Sequence, residues 1–158
     1  FVFAIDTKAT NLYGPVEAYA YVVVDGKKEL KDSHKLTIKA NIVEDFSSLT
    51  IEQKQQSPML ETKAVVDLGS IAAGKHLKGQ IRVKNIGVNP LHIRRAYSAD
   101  KQIMLKPCKA VKSSRTGVIQ VDINTQGRNP GKYSREVVII SNDYEHSIQK
   151  VTLMWTVQ

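Results

Sequence analysis

The closing stretch Val151-Thr152-Leu153-Met154-Trp155-Thr156-Val157 decides the fold class, because Val151, Leu153, Trp155 and Val157 return at every second position. Successive side chains on a pleated strand point to opposite faces, so this spacing directs one set into a core and the other toward water. The same period runs through Gln80-Ile81-Arg82-Val83-Lys84, Leu91-His92-Ile93-Arg94, Ile119-Gln120-Val121-Asp122-Ile123 and Leu36-Thr37-Ile38-Lys39-Ala40-Asn41-Ile42. Two runs, Val22 to Val24 and Val137 to Ile140, are continuously apolar and read as central strands covered on both sides. Turn chemistry separates the runs: Asp25-Gly26, Asn85-Ile86-Gly87-Val88-Asn89-Pro90, Gly127-Arg128-Asn129-Pro130-Gly131 and Asn142-Asp143. Short alternating strands so punctuated predict an all-β, antiparallel sandwich. A single segment favours helix, Thr50 to Gln56, opened by Thr50 and Gln53 at capping-box spacing.

The chain has 158 residues and a formal net charge of +8, from 23 Lys+Arg against 15 Asp+Glu. That length accommodates one full domain and an appendage. The basic excess is uneven: residues 1–60 carry 7 Lys+Arg and 8 Asp+Glu, whereas residues 61–158 carry 16 and 7. Two units of different character are therefore expected. The longest clean apolar run, Ala18 to Val24, is far below the roughly 18 residues of a membrane span, so no span is expected. With one cysteine, Cys108, no intrachain disulfide can form, and the thiol reads as a small buried apolar residue. The chain opens at Phe1 without an initiator methionine or a signal segment, which suggests a piece of a longer polypeptide.

An internal repeat gives the organisation. Ile5-Asp6-Thr7 lies beside Ile123-Asn124-Thr125, and each run proceeds to a glycine, Gly14 or Gly131. Pro15 to Asp25 then stays in step with Lys132 to Asn142 without a gap, and a shift of two residues in the next turn brings Lys35-Leu36-Thr37-Ile38 opposite Lys150-Val151-Thr152-Leu153. Residues 1–45 therefore read as the last three strands of an incomplete sandwich, 46–60 as a linker, and 61–158 as the complete copy. Three strands bury too little apolar surface to stand alone, so they should pack on the second domain or pair edge to edge with another molecule.

The sequence also resembles a known family. Leu68-Gly69-Ser70-Ile71, then Ile81 through Ile93, then Gly131-Lys132-Tyr133-Ser134 leading to Ile140-Ser141-Asn142-Asp143, is similar to a bacterial Ig-like domain family of unknown function, with a fold like Hydin-type and major sperm protein domains. The resemblance covers 61–158 well and 1–45 as a partial copy. It implies an Ig-like β-sandwich in an exported, periplasmic or envelope-associated protein of tandem modules. Many members carry a Cys-Gly-Cys cluster where this chain has Ala96-Tyr97-Ser98-Ala99-Asp100, and a Pro-Gly turn where it has Ser113-Ser114-Arg115-Thr116-Gly117. Thiol or metal chemistry tied to that cluster does not carry over.

Motifs for catalysis are weak. His34, His76, His92 and His146 share no metal-ligand spacing, and His92 should face solvent between Leu91 and Ile93. Gly69-Ser70-Ile71-Ala72-Ala73-Gly74-Lys75 imitates a phosphate loop, but His76 stands where that motif needs Ser or Thr, so a turn is expected. No nucleophile elbow occurs, so the expectation is no enzyme, no cofactor and no metal. The basic residues are the functional hint. Arg82, Lys84, Arg94 and Arg95 flank what reads as one hairpin and are the candidate binding residues, and Lys101, Lys106, Lys109, Lys112 and Arg115 crowd the next segment. Such a surface attracts anions. The expected function is a non-catalytic structural or binding module with a protein or glycan partner; a nucleic-acid or other polyanion-binding domain is the alternative.

Overall fold

The computed structural model describes residues 12–23, 25–27 and 30–158. The chain divides into two compact units, Phe1–Glu44 and Asp45–Gln158.

In the first unit β1 (Gly14–Tyr21) and β2 (Lys35–Ile42) form an antiparallel ladder. Its register pairs Gly14 with Ile42 and Tyr21 with Lys35. One face sets Val16, Ala18 and Ala20 across from Ala40, Ile38 and Leu36. The other carries Glu17 and Lys39, whose charged atoms lie 3.9 Å apart, and Tyr19, whose ring has the Lys35 ammonium 4.4 Å from its centroid. Val22 and Val23 were expected inside a doubly covered strand; they lie past the end of β1, and Val23 is 54% exposed. The physical reason is that among the described residues β1 has one pairing partner, and the chain leaves it for a turn in which Asp25 and Gly26 take positive φ, 50° and 71°. Val24 and the expected strand at Ile5-Asp6-Thr7 lie outside the described residues.

The second unit is a two-sheet sandwich. Its elements are α1 (Ile51–Gln55), β3 (Leu60–Thr62), β4 (Val65–Ile71), β5 (His76–Asn85), β6 (Ile93–Ser98), β7 (Ile103–Lys106), β8 (Thr116–Asn124), β9 (Gly131–Ser141) and β10 (Ile148–Val157). One sheet has the order β3-β5-β8-β7 and the other β4-β10-β9-β6. This is the Ig division of strands, with the first strand broken so that β3 joins one sheet and β4 the other. All ladders are antiparallel except β4 on β10, which is parallel. Alternation places Ile81, Val83, Ile119, Val121, Ile123, Val137, Ile139, Val151, Leu153, Trp155 and Val157 in one core at 0–2% exposure. Each such side chain contributes about 1.5–3 kcal/mol by leaving water.

α1 begins as its sequence implies. Thr50 accepts from the Gln53 N–H and the Gln53 side chain accepts from the Thr50 N–H, which satisfies two orphan donors of the first turn. The stretch expected to be a linker lies within the second unit: the Phe46 ring meets Tyr144 edge-on at 6.5 Å, and the Lys54 ammonium lies 5.8 Å from the Tyr144 centroid. Residues 73–75 form the turn expected of the phosphate-loop imitation, with Gly74 at φ 75°.

Candidate interaction surface

Buried polar side chains in the sandwich hold backbone. Asn85, at the end of β5, is 0% exposed. Its Oδ1 accepts from the N–H groups of Met59 and Gly87, and its Nδ2 donates to the carbonyls of Asn89 and Val111. Its own N–H donates to the Arg115 carbonyl, and its carbonyl accepts from Ser114. One amide thus joins three segments of chain. Asp143 is 1% exposed; its carboxylate accepts from the N–H groups of Leu60, Glu145 and His146. Thr125 Oγ accepts from the Lys75 N–H.

At the Thr125 end of the sheets, away from Asn85 and Asp143, a charged cluster is closed on itself. Arg128 Nη2 donates to Asp100 Oδ2 at 2.6 Å and Arg135 Nε to the same oxygen at 3.1 Å. Burial pushes the Asp100 carboxyl up, but the Arg128 bond and charge, the Gln102 N–H and the Arg135 bond outweigh it and hold the group below the usual carboxylate range. The Arg128 guanidinium lies 5.1 Å from the Tyr133 centroid and 5.3 Å from that of Trp155, and those rings stack at 5.5 Å. Tyr133, near the start of β9, donates its hydroxyl to the Asn129 carbonyl, the arrangement of an Ig tyrosine corner. The sequence reading missed both Asn85 and this cluster. Asn85 sits at an inward position of an alternating strand, a signal that could have found it; Asp100, Arg128 and Arg135 have no such local mark.

The four candidate residues fall on two different sheets. Arg82 and Lys84 project from the outer face of β5, and Lys84 Nζ lies 3.7 Å from Glu61 Oε2 on β3. Arg94 and Arg95 are on β6, an edge strand of the other sheet. A register shift between Ile93 and Arg95 marks a bulge, and since Ile93 and Ala96 both pack on the core, two successive arginines are carried outward. The Arg95 guanidinium sits 4.7 Å from the Tyr97 centroid. The expected hairpin joining the two pairs does not form. The connection after Asn85 crosses between sheets because Leu91, 0% exposed, is drawn into the core and bridged to Val111. His92 is exposed, as expected.

Of the basic segment, Lys106 stands on β7 beside a third feature. On the outer face of the first sheet, Lys78 and Gln80 of β5, Gln120 and Asp122 of β8, and Met104 and Lys106 of β7 line a trough of about 510 Å³. Among the described residues no group of three or more His, Cys, Asp or Glu is placed to hold a metal, and no helix is long and apolar enough to cross a membrane.

Residues 58–154 match the HYDIN/CFA65/VesB-like Ig-like domain, and the chain belongs to that family. A solved protein of unknown function from Porphyromonas gingivalis W83 is similar over 93% of this chain and 67% of its own, at 15% identity and a TM-score of 0.65. The Vibrio cholerae VesB protease is similar over 63% of this chain and 31% of its own, at 11% identity and a TM-score of 0.48. The PapD-like domain 7 of human CEP192 is similar over 75% of this chain and 95% of its own, at 9% identity and a TM-score of 0.46. At 15% identity the likeness to the Porphyromonas gingivalis protein is one of fold. Comparison with curated proteins returns no match.

Proposed function

We propose that this chain is a non-catalytic Ig-like binding or scaffolding module of an exported bacterial protein built from tandem domains, with a protein or glycan partner. The observation that carries this is the division of labour among its polar groups. Asn85, Thr125 and Asp143 are spent on backbone inside the sandwich, while Arg82, Lys84 and Arg94 stand on its outer surfaces. Sandwich modules recognise partners through such outer faces, edges and end loops. Membership of the Ig-like family supports the same reading.

Residues 1–45 are then the closing strands of a preceding module. The support is in the registers: Gly14 pairs with Ile42 as Gly131 pairs with Val157, and Tyr21 with Lys35 as Val138 with Lys150, the correspondence that the internal repeat sets up. The apolar face of that ladder needs a cover, and edge or face association with a second molecule supplies one.

The test is binding of the whole chain to arrayed envelope glycans and envelope proteins, with R82E/K84E and R94E/R95E compared separately. Loss of about tenfold in affinity in one pair identifies the sheet in use. Binding to mixed DNA that persists near 0.15 M salt and falls steeply as salt rises would instead select the polyanion reading. Export is tested by fractionating cells that carry the full-length gene product; retention in the cytoplasm would sink it.

A further inference from the structure

We propose that the trough on the outer face of β5, β8 and β7 is a site for an acidic saccharide, with Lys78 and Lys106 taking uronate carboxylates and Gln80 and Gln120 taking ring hydroxyls. This rests on the binding-module reading and names the ligand class and the face. The ladder registers assemble the site. Lys78 lies across from Asp122, which lies across from Met104; one pair along, Gln80 lies across from Gln120, which lies across from Lys106. With strands about 4.8 Å apart and residues rising about 3.4 Å each, the two lysine Cα atoms stand roughly 12 Å apart on a diagonal, with Gln120 and Asp122 of the central strand between them and Gln80 beside Lys78 on β5. All six outward residues follow from strand alternation, so the arrangement is fixed by rigid sheet.

Four observations favour this ligand. Among the described residues the side chains of Lys78, Gln80, Lys106 and Gln120 have no hydrogen-bond or ion-pair partner, whereas Lys39, Lys84 and Lys150 are each paired with a glutamate. The trough is net cationic, because its lining carries two exposed lysines, Lys78 and Lys106, against one carboxylate, Asp122. Each glutamine amide both donates and accepts, which matches hydroxyls that do both. Met104, 57% exposed, supplies an apolar contact for a ring face. An acidic peptide fits less well, since a strand added at β7, the open edge of this sheet, would lie beside the trough rather than over Gln80 and Gln120.

The experiment titrates the whole chain with trigalacturonate, its methyl ester and hexaglutamate by calorimetry, for the wild type, Q80A/Q120A and K78A/K106A. These substitutions are on an exposed face, and circular dichroism verifies the fold. Expected are binding of trigalacturonate, about tenfold weaker binding of the ester and of hexaglutamate, and a loss of about tenfold in each variant. Failure to bind trigalacturonate overturns the proposal, as does equal binding of hexaglutamate with no loss in Q80A/Q120A, which would leave a mere cationic patch. If an envelope partner still responds to R82E/K84E or R94E/R95E, the module reading survives that failure; if no partner responds, both fall.

Discussion

Arg128 and Asp100 form an ion pair whose side chains are only 8% and 13% exposed, joining the loop after β6 to the loop after β8. An arginine so buried depends on its partner. Asp100→Asn should lower unfolding free energy at pH 7 by about 3 kcal/mol, because removing one member leaves the other charge buried. Urea unfolding followed by Trp155 fluorescence reads this directly.

The same pair sets a pH dependence. The Asp100 carboxyl is held below its ordinary value in the folded chain. Its contribution is therefore complete above the unfolded value, about 3.9, and is lost as pH falls through the lower folded one. The stability difference between wild type and Asp100→Asn should shrink as pH drops below about 4. A difference that stayed constant down to pH 2 would contradict this assignment.

Asn85 uses its side chain as two acceptor contacts and two donor contacts. Asn85→Ala should cost about 3 kcal/mol or more, since several buried groups lose partners at once. Asn85→Asp turns the donor toward Asn89 and Val111 into a carboxylate oxygen facing two carbonyls, so at neutral pH it should be at least as damaging. Acid should recover part of that loss, because a protonated carboxyl again donates one bond. Thermal melts at pH 7 and pH 4.5 provide the comparison.

Gly87 is required by space. A Cβ there would stand 2.3 Å from the Ser57 carbonyl oxygen and 2.5 Å from the Met59 nitrogen, both backbone atoms. Gly127 has nothing within 4 Å, though its φ is +74°. Gly127→Ala should therefore cost about 1–2 kcal/mol for a left-handed backbone. Gly87→Ala should cost more, about 3 kcal/mol, since main chain rather than a flexible tip must move. Equal midpoints in denaturant would remove this distinction.

Cover of the β1–β2 apolar face predicts association. Sedimentation of the whole chain should show a concentration-dependent rise in mass, abolished by Ile38→Glu on the apolar face and unaffected by Thr37→Glu on the other. A monomer at all concentrations would argue against a second molecule as that cover.

Short-range pattern along the chain, alternation together with cap spacing and turn residues, determined the sandwich, the inward set from Ile81 to Val157, the capping box at Thr50 and the turn at Asp25-Gly26, because a strand's faces, a cap and a positive-φ turn are fixed by residues a few positions apart. Tertiary structure alone decided that Arg82 and Arg94 stand on different sheets, that a bulge sends Arg94 and Arg95 the same way, and that Asp100 meets Arg128. Those relations depend on which sheet each strand joins after a crossing loop, and that choice is made by Leu91 entering the core and by Asn85 tying three distant segments together. No periodicity in the chain records it.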